Sequence, residues 1–324
     1  MVVVGAGLAG LMAARALSDH GLPVTVVERG RVAGGRLATR DLAGGRLDHG
    51  AQFFTTRSPE FAAATEGWLA EGTAYEWCRG FDQPPAQPDG YPRYAATGGM
   101  AGLAGRLAGG LDVRLGTPVR AVSGDGRVVL DDGTTMSASA VVLTAPVPDA
   151  LALVDAGGTV LAASQRGGLE AVSYQPTIAV LVVLDRPSLV PPPGAVLLQE
   201  GPFSFVADNH TKGISSVPAV TLHASGELSS ARWDEPDTEV VRRLLHEGRP
   251  WLGRPPRAVA LERWRLARPV DLHPERCLLV EGRAPLVFAG DGFGEGRVEG
   301  AVRSGWAAAA ALLNWLGQTA RGPG

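Results

Sequence analysis

Lysine is almost missing from this chain of 324 residues. Lys212 is the only one, although lysine and arginine together number 30. Aspartate and glutamate number 33, so the formal net charge is −3. A chain without an excess of positive charge has no field that would hold a polyanion, and we therefore expect no nucleic-acid partner.

Cysteine and long apolar runs are also scarce. Cys78 and Cys277 are the only cysteines, and two cysteines cannot form the disulfide framework of a small secreted protein. The apolar runs Ile178–Leu184 and Trp306–Leu313 are well short of the ~20 residues that cross a bilayer. We expect a cytoplasmic protein without membrane contact, and nothing in the sequence indicates an obligate protein partner.

The length of the chain and the pattern of its apolar residues predict two domains, since a domain usually has ~100–200 residues. Short, fully apolar runs near both ends are typical of buried parallel strands, whereas the middle of the chain is typical of an antiparallel sheet. We predict an α/β fold in which a nucleotide-binding domain is discontinuous and comprises residues 1–60, 96–160 and 270–324. A substrate domain with a mostly antiparallel sheet comprises residues 61–95 and 161–269.

Apolar spacing and helix-start signals predict the individual elements. Predicted helices follow Gly10, begin at Ser58-Pro59-Glu60, run from Met100 to Ala108 and from Thr238 to Glu247, and close the chain. Predicted strands include Val2–Val4, Val24–Val27, Ala140–Thr144, Ala171–Leu184, Phe203–Ala207, Ala219–His223 and Leu286–Ala289. The proline-rich stretch Asp82–Tyr91 is predicted to be a loop.

A glycine motif near the start of the chain indicates a dinucleotide site. Gly5-x-Gly7-x-x-Gly10 lies between a predicted buried strand and a helix, and the next strand ends at Glu28. The glycines let the backbone approach a pyrophosphate, the helix N-terminus faces its charge, and Glu28 can accept hydrogen bonds from ribose hydroxyls. A carboxylate at that position repels a 2′-phosphate, so the bound nucleotide is expected to be FAD or NAD rather than NADP.

Two further segments favour FAD. Gly34-Gly35-Arg36 suits a second close approach to the pyrophosphate, with a guanidinium nearby. In Phe288-Ala289-Gly290-Asp291-Gly292 a strand ends beside a carboxylate that could bind a ribityl hydroxyl. Small residues such as Gly300 and Ala301 then open a helix whose N-terminus can stabilise an anionic reduced flavin.

The segment Asp48-His49-Gly50-Ala51-Gln52-Phe53-Phe54-Thr55, after Gly34-Gly35-Arg36, resembles the renalase family. The resemblance extends over nearly the whole chain, through 144–148, 169–174, 205–209, 263–265 and 290–293. It implies a Rossmann-type FAD-binding domain with a substrate domain like those of p-hydroxybenzoate hydroxylase and monoamine oxidase. It also implies non-covalent FAD and oxidation of dihydro-NAD(P) isomers reduced at the wrong ring carbon. Hydride then passes to the flavin, NAD(P)+ leaves, and O2 reoxidises the flavin to give H2O2.

The motifs and the resemblance together predict the site residues. Those expected to bind FAD are Gly5, Gly7, Leu8, Ala9, Gly10, Glu28, Arg29, Gly35, Arg36, Gly50, Ala51, Gln52, Val119, Gly290, Asp291, Val298, Gly300 and Ala301. The candidate catalytic residues are Gln52, Asn209, His223 and Trp264, where His223 and Trp264 could equally belong to the core. His210 and His223 lack the spacing of metal ligands, so no metal site is expected.

Two other functions remain open at this point. One is an amine oxidase or desaturase of the same fold, and the other is a non-catalytic FAD-binding redox module. Many amine oxidases of this fold hold a lysine in a substrate-domain strand, but residues 174–181 contain none. Lys212 lies in the polar stretch 208–213, where we expect a solvated loop residue whose replacement by methionine has little effect. The expected partners are therefore a small dinucleotide substrate and O2.

Overall fold

The computed structural model describes residues 1–81 and 90–319, so most of the predicted loop Asp82–Tyr91 lies outside the described residues. In the described parts the helices are α1 Leu8–Asp19, α2 Pro59–Ala70, α3 Met100–Ala108, α4 Val147–Ala156, α5 Ala163–Glu170, α6 Gly226–Ala231, α7 Asp237–Glu247, α8 Arg249–Leu252 and α9 Arg297–Thr319. The strands up to residue 143 are β1 Val2–Val4, β2 Thr25–Val27, β3 Thr39–Leu42, β4 Gly45–Asp48, β5 Ala74–Cys78, β6 Arg93–Ala96, β7 Asp112–Arg114, β8 Val119–Val122, β9 Arg127–Leu130, β10 Thr135–Ser137 and β11 Val141–Leu143. The later strands are β12 Tyr174–Val183, β13 Ala195–Leu197, β14 Phe203–Asp208, β15 Ala219–Ala224, β16 Ala258–Pro269, β17 Leu278–Val280 and β18 Leu286–Phe288.

The first compact unit comprises Met1–Gly35, Ala104–Ser173 and the described chain from Pro269 onward. Its main sheet has the order β17-β18-β11-β1-β2-β7, parallel except for β17 at one edge. The predicted strand Val2–Val4 is central and fully buried, as a continuous run of β-branched residues requires. Helix α1 packs so closely on α9 that a methyl group at Gly305 would lie 2.3 Å from the carbonyl oxygen of Ala9.

The second compact unit comprises Arg36–Leu103 and Tyr174–Arg268. Its largest sheet has the order β13-β14-β15-β12-β16, and the pairs β13–β14, β14–β15 and β12–β15 are antiparallel, as predicted for the middle of the chain. Alternate residues of β12 face two different cores. Val180 and Val182 pack in a cluster that includes Val240 of α7, whereas Leu181 and Val183 pack in a cluster that includes Leu47 of β4.

The structure assigns residues 36–60 and 96–103 to the second unit, whereas the sequence analysis placed them with the nucleotide-binding domain. The physical reason is the hairpin of β3 and β4, which the sequence analysis did not predict. Leu47 is fully buried against Leu181 and Ala219, and a methyl group at Gly45 would lie only 3.2 Å from Val183 Cγ2. Hydrophobic burial therefore holds this hairpin to the antiparallel sheet.

Several predicted elements have the expected bounds and others differ. Helix α3 matches its prediction, and Ser58 caps α2 by accepting a hydrogen bond from the Phe61 amide. Helix α2, predicted to begin at Ser58-Pro59-Glu60, ends at Ala70, and Gly72 then turns the chain with φ +68°. Pro146 is the N-cap of α4, a helix that the sequence did not predict. Within residues 1–81 and 90–319, no helix combines the length and apolarity needed to cross a membrane.

Candidate active site

The turn from β1 to α1 forms a cradle that only glycine allows at two positions. Gly5 has φ +107°, and a methyl group at Gly10 would lie 2.0 Å from the Gly5 carbonyl oxygen. At Gly7, the N-cap of α1, a methyl group would meet no heavy atom within 4 Å among the described residues. Backbone packing therefore requires Gly5 and Gly10, whereas Gly7 leaves open space of the kind that a pyrophosphate needs.

Glu28 follows β2 and closes the cradle. Its carboxylate accepts hydrogen bonds from the Ala6 amide (2.8 Å) and from the Gly30 amide (2.7 Å). Each carboxylate oxygen can accept more than one hydrogen bond, so both retain capacity for ribose hydroxyls. Gly35 lies near Gly7, and the Gly34 amide donates to the Ala6 carbonyl, so this second glycine pair reaches the same loop.

A second candidate half-site lies at the end of β18 in the same unit. Gly290 has φ +137°, and its amide donates to Ser304 Oγ at 2.8 Å. Asp291, which follows it, is 9% exposed. Gly300 in the first turn of α9 has no room for a methyl group, which would lie 1.5 Å from the Glu295 carbonyl oxygen. The strand end and helix α9 are therefore held together, and the roles of Asp291 and of the helix start toward a flavin stay predictions.

The remaining predicted FAD residues occupy varied positions. Leu8 and Ala9 open α1, Val119 begins β8, and Val298 and Ala301 lie near the start of α9. Arg29 is largely exposed and pairs with Asp149 at 3.5 Å. Arg36, in the second unit, donates to the carbonyl oxygens of Leu266 (3.2 Å) and Ala267 (3.1 Å). A role for Arg36 beside a pyrophosphate stays a prediction.

All four candidate catalytic residues converge on the backbone of two adjacent residues in the second unit, Asp48 and His49. Gln52 Nε2 donates to the Asp48 carbonyl at 2.7 Å, and the Asp48 amide donates to Asn209 Oδ1 at 3.2 Å. The Trp264 indole N–H donates to the His49 carbonyl at 3.0 Å, and His223 Nε2 lies 3.2 Å from the same oxygen. A carbonyl oxygen only accepts hydrogen bonds, so His223 carries its proton on Nε2.

The environment of each candidate residue differs. Asn209 is fully buried, and its amide also donates to Thr221 Oγ1 at 2.9 Å, so protein contacts occupy both ends of its side chain. His223 and Trp264 are only partly buried. The His49 ring stacks on the Trp264 indole with centroids 5.4 Å apart. Trp264 therefore joins the cluster through its N–H and stacks against an imidazole.

Lys212 is not solvated, and that expectation from the sequence was wrong. The residue lies in a turn, as predicted, but it is 2% exposed and its ammonium contacts the Asp48 carboxylate at 2.6 Å. Its Nζ also lies 5.1 Å from the centroid of the Trp77 ring. Polar neighbours in sequence indicated a surface loop, but the carboxylate that pairs with this lysine is 164 residues away in the chain.

Burial keeps the two imidazoles of the cluster neutral. Desolvation lowers the pKa of His223 to about 4, and it also lowers the pKa of His49. Burial lowers the pKa of Lys212, while the neighbouring Asp48 carboxylate opposes this effect. Desolvation therefore favours the neutral form of both imidazoles, and the ammonium of Lys212 is paired with a carboxylate.

Two buried polar atoms in the cluster have no hydrogen-bond partner within the described residues. They are His49 Nδ1 and Gln52 Oε1. A buried polar group without a partner is costly, so such atoms indicate contact with a group outside the polypeptide. Gln52 follows the Gly50-Ala51 segment that was expected to approach a flavin.

Sequence reasoning missed three contributors to this cluster. Asp48 and His49 were quoted only as part of a motif, and Thr221, which donates to the Asp48 carbonyl at 2.8 Å, was not considered. A signal for Asp48 was available, because it ends a strand beside His49 in the segment that carries the family resemblance. No local pattern marks Thr221, since its partners come from distant segments.

Comparison with known proteins identifies the family. The model for flavin-containing amine oxidoreductases matches residues 62–313, more than half of the chain. The chain belongs to the flavin-containing amine oxidoreductase family. A model for NAD(P)-binding Rossmann-like domains matches residues 3–65, which include the glycine cradle and Glu28.

Individual proteins resemble this chain in sequence or in fold. It is similar to polyamine oxidase 1 of Oryza sativa subsp. japonica, with 42% identity over 91 residues, which are 25% of this chain and 18% of that protein. A redesigned putrescine oxidase has a TM-score of 0.75 at 20% identity, covering 97% of this chain and 98% of that one. A cyclohexylamine oxidase from Brevibacterium oxydans IH-35A has a TM-score of 0.71 at 18% identity, covering 97% and 98%.

As a member of this family the chain is an FAD-dependent oxidoreductase, so the interpretation as a non-catalytic module is not supported. The residues of the first unit fit the cofactor, because Gly7 leaves open space and Glu28 keeps acceptor capacity. The positions that each predicted residue takes around FAD remain predictions.

Proposed function

We propose that the enzyme oxidises dihydro-NAD(P) isomers whose nicotinamide ring is reduced at the wrong carbon, such as the 1,2- or 1,6-dihydro forms. The observation that carries the proposal is the cluster around the His49 carbonyl, where the Lys212 ammonium is paired with the Asp48 carboxylate at 2.6 Å and desolvation lowers the pKa of both imidazoles. Loss of hydride turns the dihydronicotinamide ring into an aromatic cation. Protonated imidazoles would repel that cation, whereas His49 and His223 are held neutral by burial.

The same chemistry makes a catalytic base unnecessary. The dihydronicotinamide ring loses only a hydride, because the ring nitrogen supplies the electrons that make the product aromatic. An amine reaches the enzyme as an ammonium ion and must lose a proton before it loses hydride. In the described cluster, a histidine with a pKa of about 4 is a weak base at neutral pH, and the Asp48 carboxylate is already bound to Lys212.

The residues of the second unit take binding roles in this proposal. Bound FAD would supply the hydride acceptor and the centre whose electrons reduce O2 to H2O2. The Trp264 indole, fixed through its N–H, offers a flat aromatic wall for a nicotinamide ring. Gln52 Oε1 and His49 Nδ1, which have no hydrogen-bond partner in the part of the chain that the structure describes, can bind the cofactor or the substrate. Asn209 keeps the segment in place through the Asp48 amide.

Amine oxidation is the second candidate function, and two observations favour it. The family model is that of amine oxidoreductases. Lys212 is also buried and not solvated, which removes one of the sequence arguments against an amine oxidase. The argument from the missing base remains, and it places the dihydronicotinamide first.

Anaerobic mixing of the FAD-loaded enzyme with candidate donors tests the proposal. The panel comprises 1,2- and 1,6-dihydro-NAD, their NADP forms, ordinary 1,4-dihydro-NAD, putrescine and phenylethylamine. We expect the 1,2- or 1,6-dihydro forms to bleach the visible flavin band rapidly and the amines to bleach it negligibly. Rapid bleaching by an amine, with none by the isomers, would replace the proposal by amine oxidation.

A further inference from the structure

We propose that Lys212 is a positioning residue that acts through Asp48. It fixes the two successive carbonyl groups, of Asp48 and His49, on which the candidate catalytic residues converge. In the function proposed above, neither Lys212 nor the Asp48 carboxylate has a chemical step to perform. Nevertheless, both side chains are completely buried, which is costly for charged groups unless they are held in place by several partners.

The Asp48 carboxylate is held from three directions. Lys212 Nζ contacts Oδ2 at 2.6 Å, Thr39 Oγ1 donates to Oδ1 at 2.5 Å, and the Met100 amide donates to Oδ1 at 2.8 Å. These donors come from a turn, from β3 and from the first residue of α3. All three bonds are charge-assisted because their acceptor is a carboxylate, and of the three only the contact with Lys212 joins two opposite charges.

Lys212 is itself immobile. Its amide donates to the Asp208 carbonyl at 2.9 Å, and its carbonyl accepts from the Tyr75 hydroxyl at 2.5 Å. Its Nζ lies over the Trp77 ring, where a cation is stabilised. The lysine therefore ties the end of β4 to the loop that follows β14.

The position of Asp48 affects both carbonyl groups, its own directly and that of His49 through the backbone that joins them. Its own carbonyl accepts from Gln52 Nε2 (2.7 Å) and Thr221 Oγ1 (2.8 Å). The peptide that follows is planar and adjoins His49, whose carbonyl accepts from Trp264 and faces His223. A shift of Asp48 would thus move the partners of Gln52, Trp264 and His223 together.

The indole N–H resonance of Trp264 reports this arrangement without relying on catalysis. Its NMR signal can be assigned among the seven tryptophans by its loss in Trp264→Phe. In the FAD-loaded enzyme, Lys212→Met should move the signal upfield, as expected for a weaker hydrogen bond to the His49 carbonyl. Arg242→Met, which breaks the exposed pair with Glu239 on α7, should leave the signal in place.

The rate of flavin reduction gives the second measurement, and this part rests on the proposed function. With the dihydronicotinamide isomer that reduces the parent enzyme, Lys212→Met should reduce the flavin roughly 10- to 100-fold more slowly at saturating substrate, per bound FAD, because small misplacements near the reacting groups are costly. If no isomer reduces the parent, the proposed function fails, while the Trp264 signal still tests the positioning role.

A double variant separates positioning from a direct effect of the lysine charge. Asp48→Asn with Lys212→Met removes both charges, while an asparagine oxygen can still accept from Thr39 and Met100. We expect this pair to restore the Trp264 signal and to bring the rate within about fivefold of the parent, because the carbonyl groups are held again without a buried unpaired charge. A double variant as slow as Lys212→Met, or a Trp264 signal that Lys212→Met does not move, would overturn the proposal.

Thr39→Val keeps the test decisive if Lys212→Met does not fold. It removes one donor to the same carboxylate and leaves the ion pair intact. The proposal requires a smaller upfield shift of the Trp264 signal, together with a rate that is several-fold lower. A Thr39→Val enzyme that matches the parent in both measurements would count against a positioning role for the carboxylate.

Discussion

His223 shows at the scale of one residue how burial sets chemistry. Its ring lies beside the His49 carbonyl, and desolvation lowers its pKa to about 4 from a normal value of 6.5. Folding therefore holds the imidazole neutral over a pH range in which the unfolded chain would protonate it. That difference has a measurable consequence for stability.

In His223→Gln, the free energy of unfolding is expected to fall less steeply with decreasing pH than in the parent. In the parent, the unfolded chain binds a proton at His223 as the pH falls below 6.5, and the folded protein does not until about pH 4. The corresponding stability is fully present above pH 6.5 and is lost progressively as the pH falls towards 4, amounting to as much as about 3 kcal/mol. Glutamine keeps an N–H for the His49 carbonyl but has no such titration.

Urea unfolding of both proteins between pH 4 and 7.5 measures this effect. His246→Gln is the matched control, because His246 is exposed on α7 and stays in water in both states. The free energy of unfolding of His246→Gln should fall with decreasing pH as steeply as that of the parent. A His223→Gln protein whose free energy of unfolding falls with pH as steeply as that of the parent would show that His223 is protonated normally in the folded state.

At the scale of one element, the start of α1 contains one glycine that packing requires and another that packing does not require. Gly10 has no space for a side chain because of the Gly5 carbonyl oxygen, whereas Gly7 faces open space with an ordinary φ of −72°. Gly10 is required by the fold of the turn. Gly7 is required only if a ligand passes over it.

Gly7→Ala should therefore leave folding nearly unchanged and weaken FAD binding. We expect the free energy of unfolding of the apoprotein to change by less than about 0.5 kcal/mol. The dissociation constant for FAD should rise by at least about tenfold, equal to about 1.4 kcal/mol. FAD titration of the apoprotein, followed by flavin fluorescence, measures the constant.

Gly10→Ala is the paired variant, and we expect it, unlike Gly7→Ala, to destabilise the folded apoprotein. Forcing a methyl group against the Gly5 carbonyl should destabilise the apoprotein by roughly 1–3 kcal/mol or more. If Gly7→Ala bound FAD as tightly as the parent, the pyrophosphate would not lie over Gly7.

At the scale of the whole molecule, FAD binding and folding are linked. The cradle between β1 and α1, the strand β2 that ends before Glu28, and the segment around Gly290 are distant in sequence but belong to one unit. A ligand that binds only the folded chain stabilises it by about 2.7 kcal/mol when its concentration is 100 times its dissociation constant.

Glu28→Ala should remove most of that stabilisation. Loss of a charged acceptor is expected to weaken FAD binding by roughly 1.5–3 kcal/mol. Adding FAD to the apoprotein should then raise the melting temperature clearly in the parent and only slightly in Glu28→Ala. Differential scanning calorimetry at one fixed FAD concentration measures both.

Glu281→Ala is the matched control, because Glu281 is exposed in the same unit. FAD should raise its melting temperature as much as that of the parent. An equal FAD-induced rise in Glu28→Ala would show that Glu28 does not bind the ribose and only holds the Ala6 and Gly30 amides.

Local sequence determined much of the fold and the nucleotide half of the site. Continuous β-branched runs, glycine spacing and an acid after the second strand act over a few residues, so they predicted β1, α1 and the position of Glu28. The helix Met100–Ala108 and the cap at Ser58 were predicted for the same reason. These features depend on the backbone and on nearest neighbours.

Tertiary structure alone decided how the candidate catalytic residues are grouped. Candidate residues 52, 209, 223 and 264 were named singly, and only the packed second unit brings them to the Asp48 and His49 carbonyl groups. The polar surroundings of Lys212 in sequence predicted solvent, yet Asp48 pairs with it inside the protein. Burial and long-range pairing depend on which segments pack together, and hydrophobic contacts of distant strands such as β4 and β12 decide that.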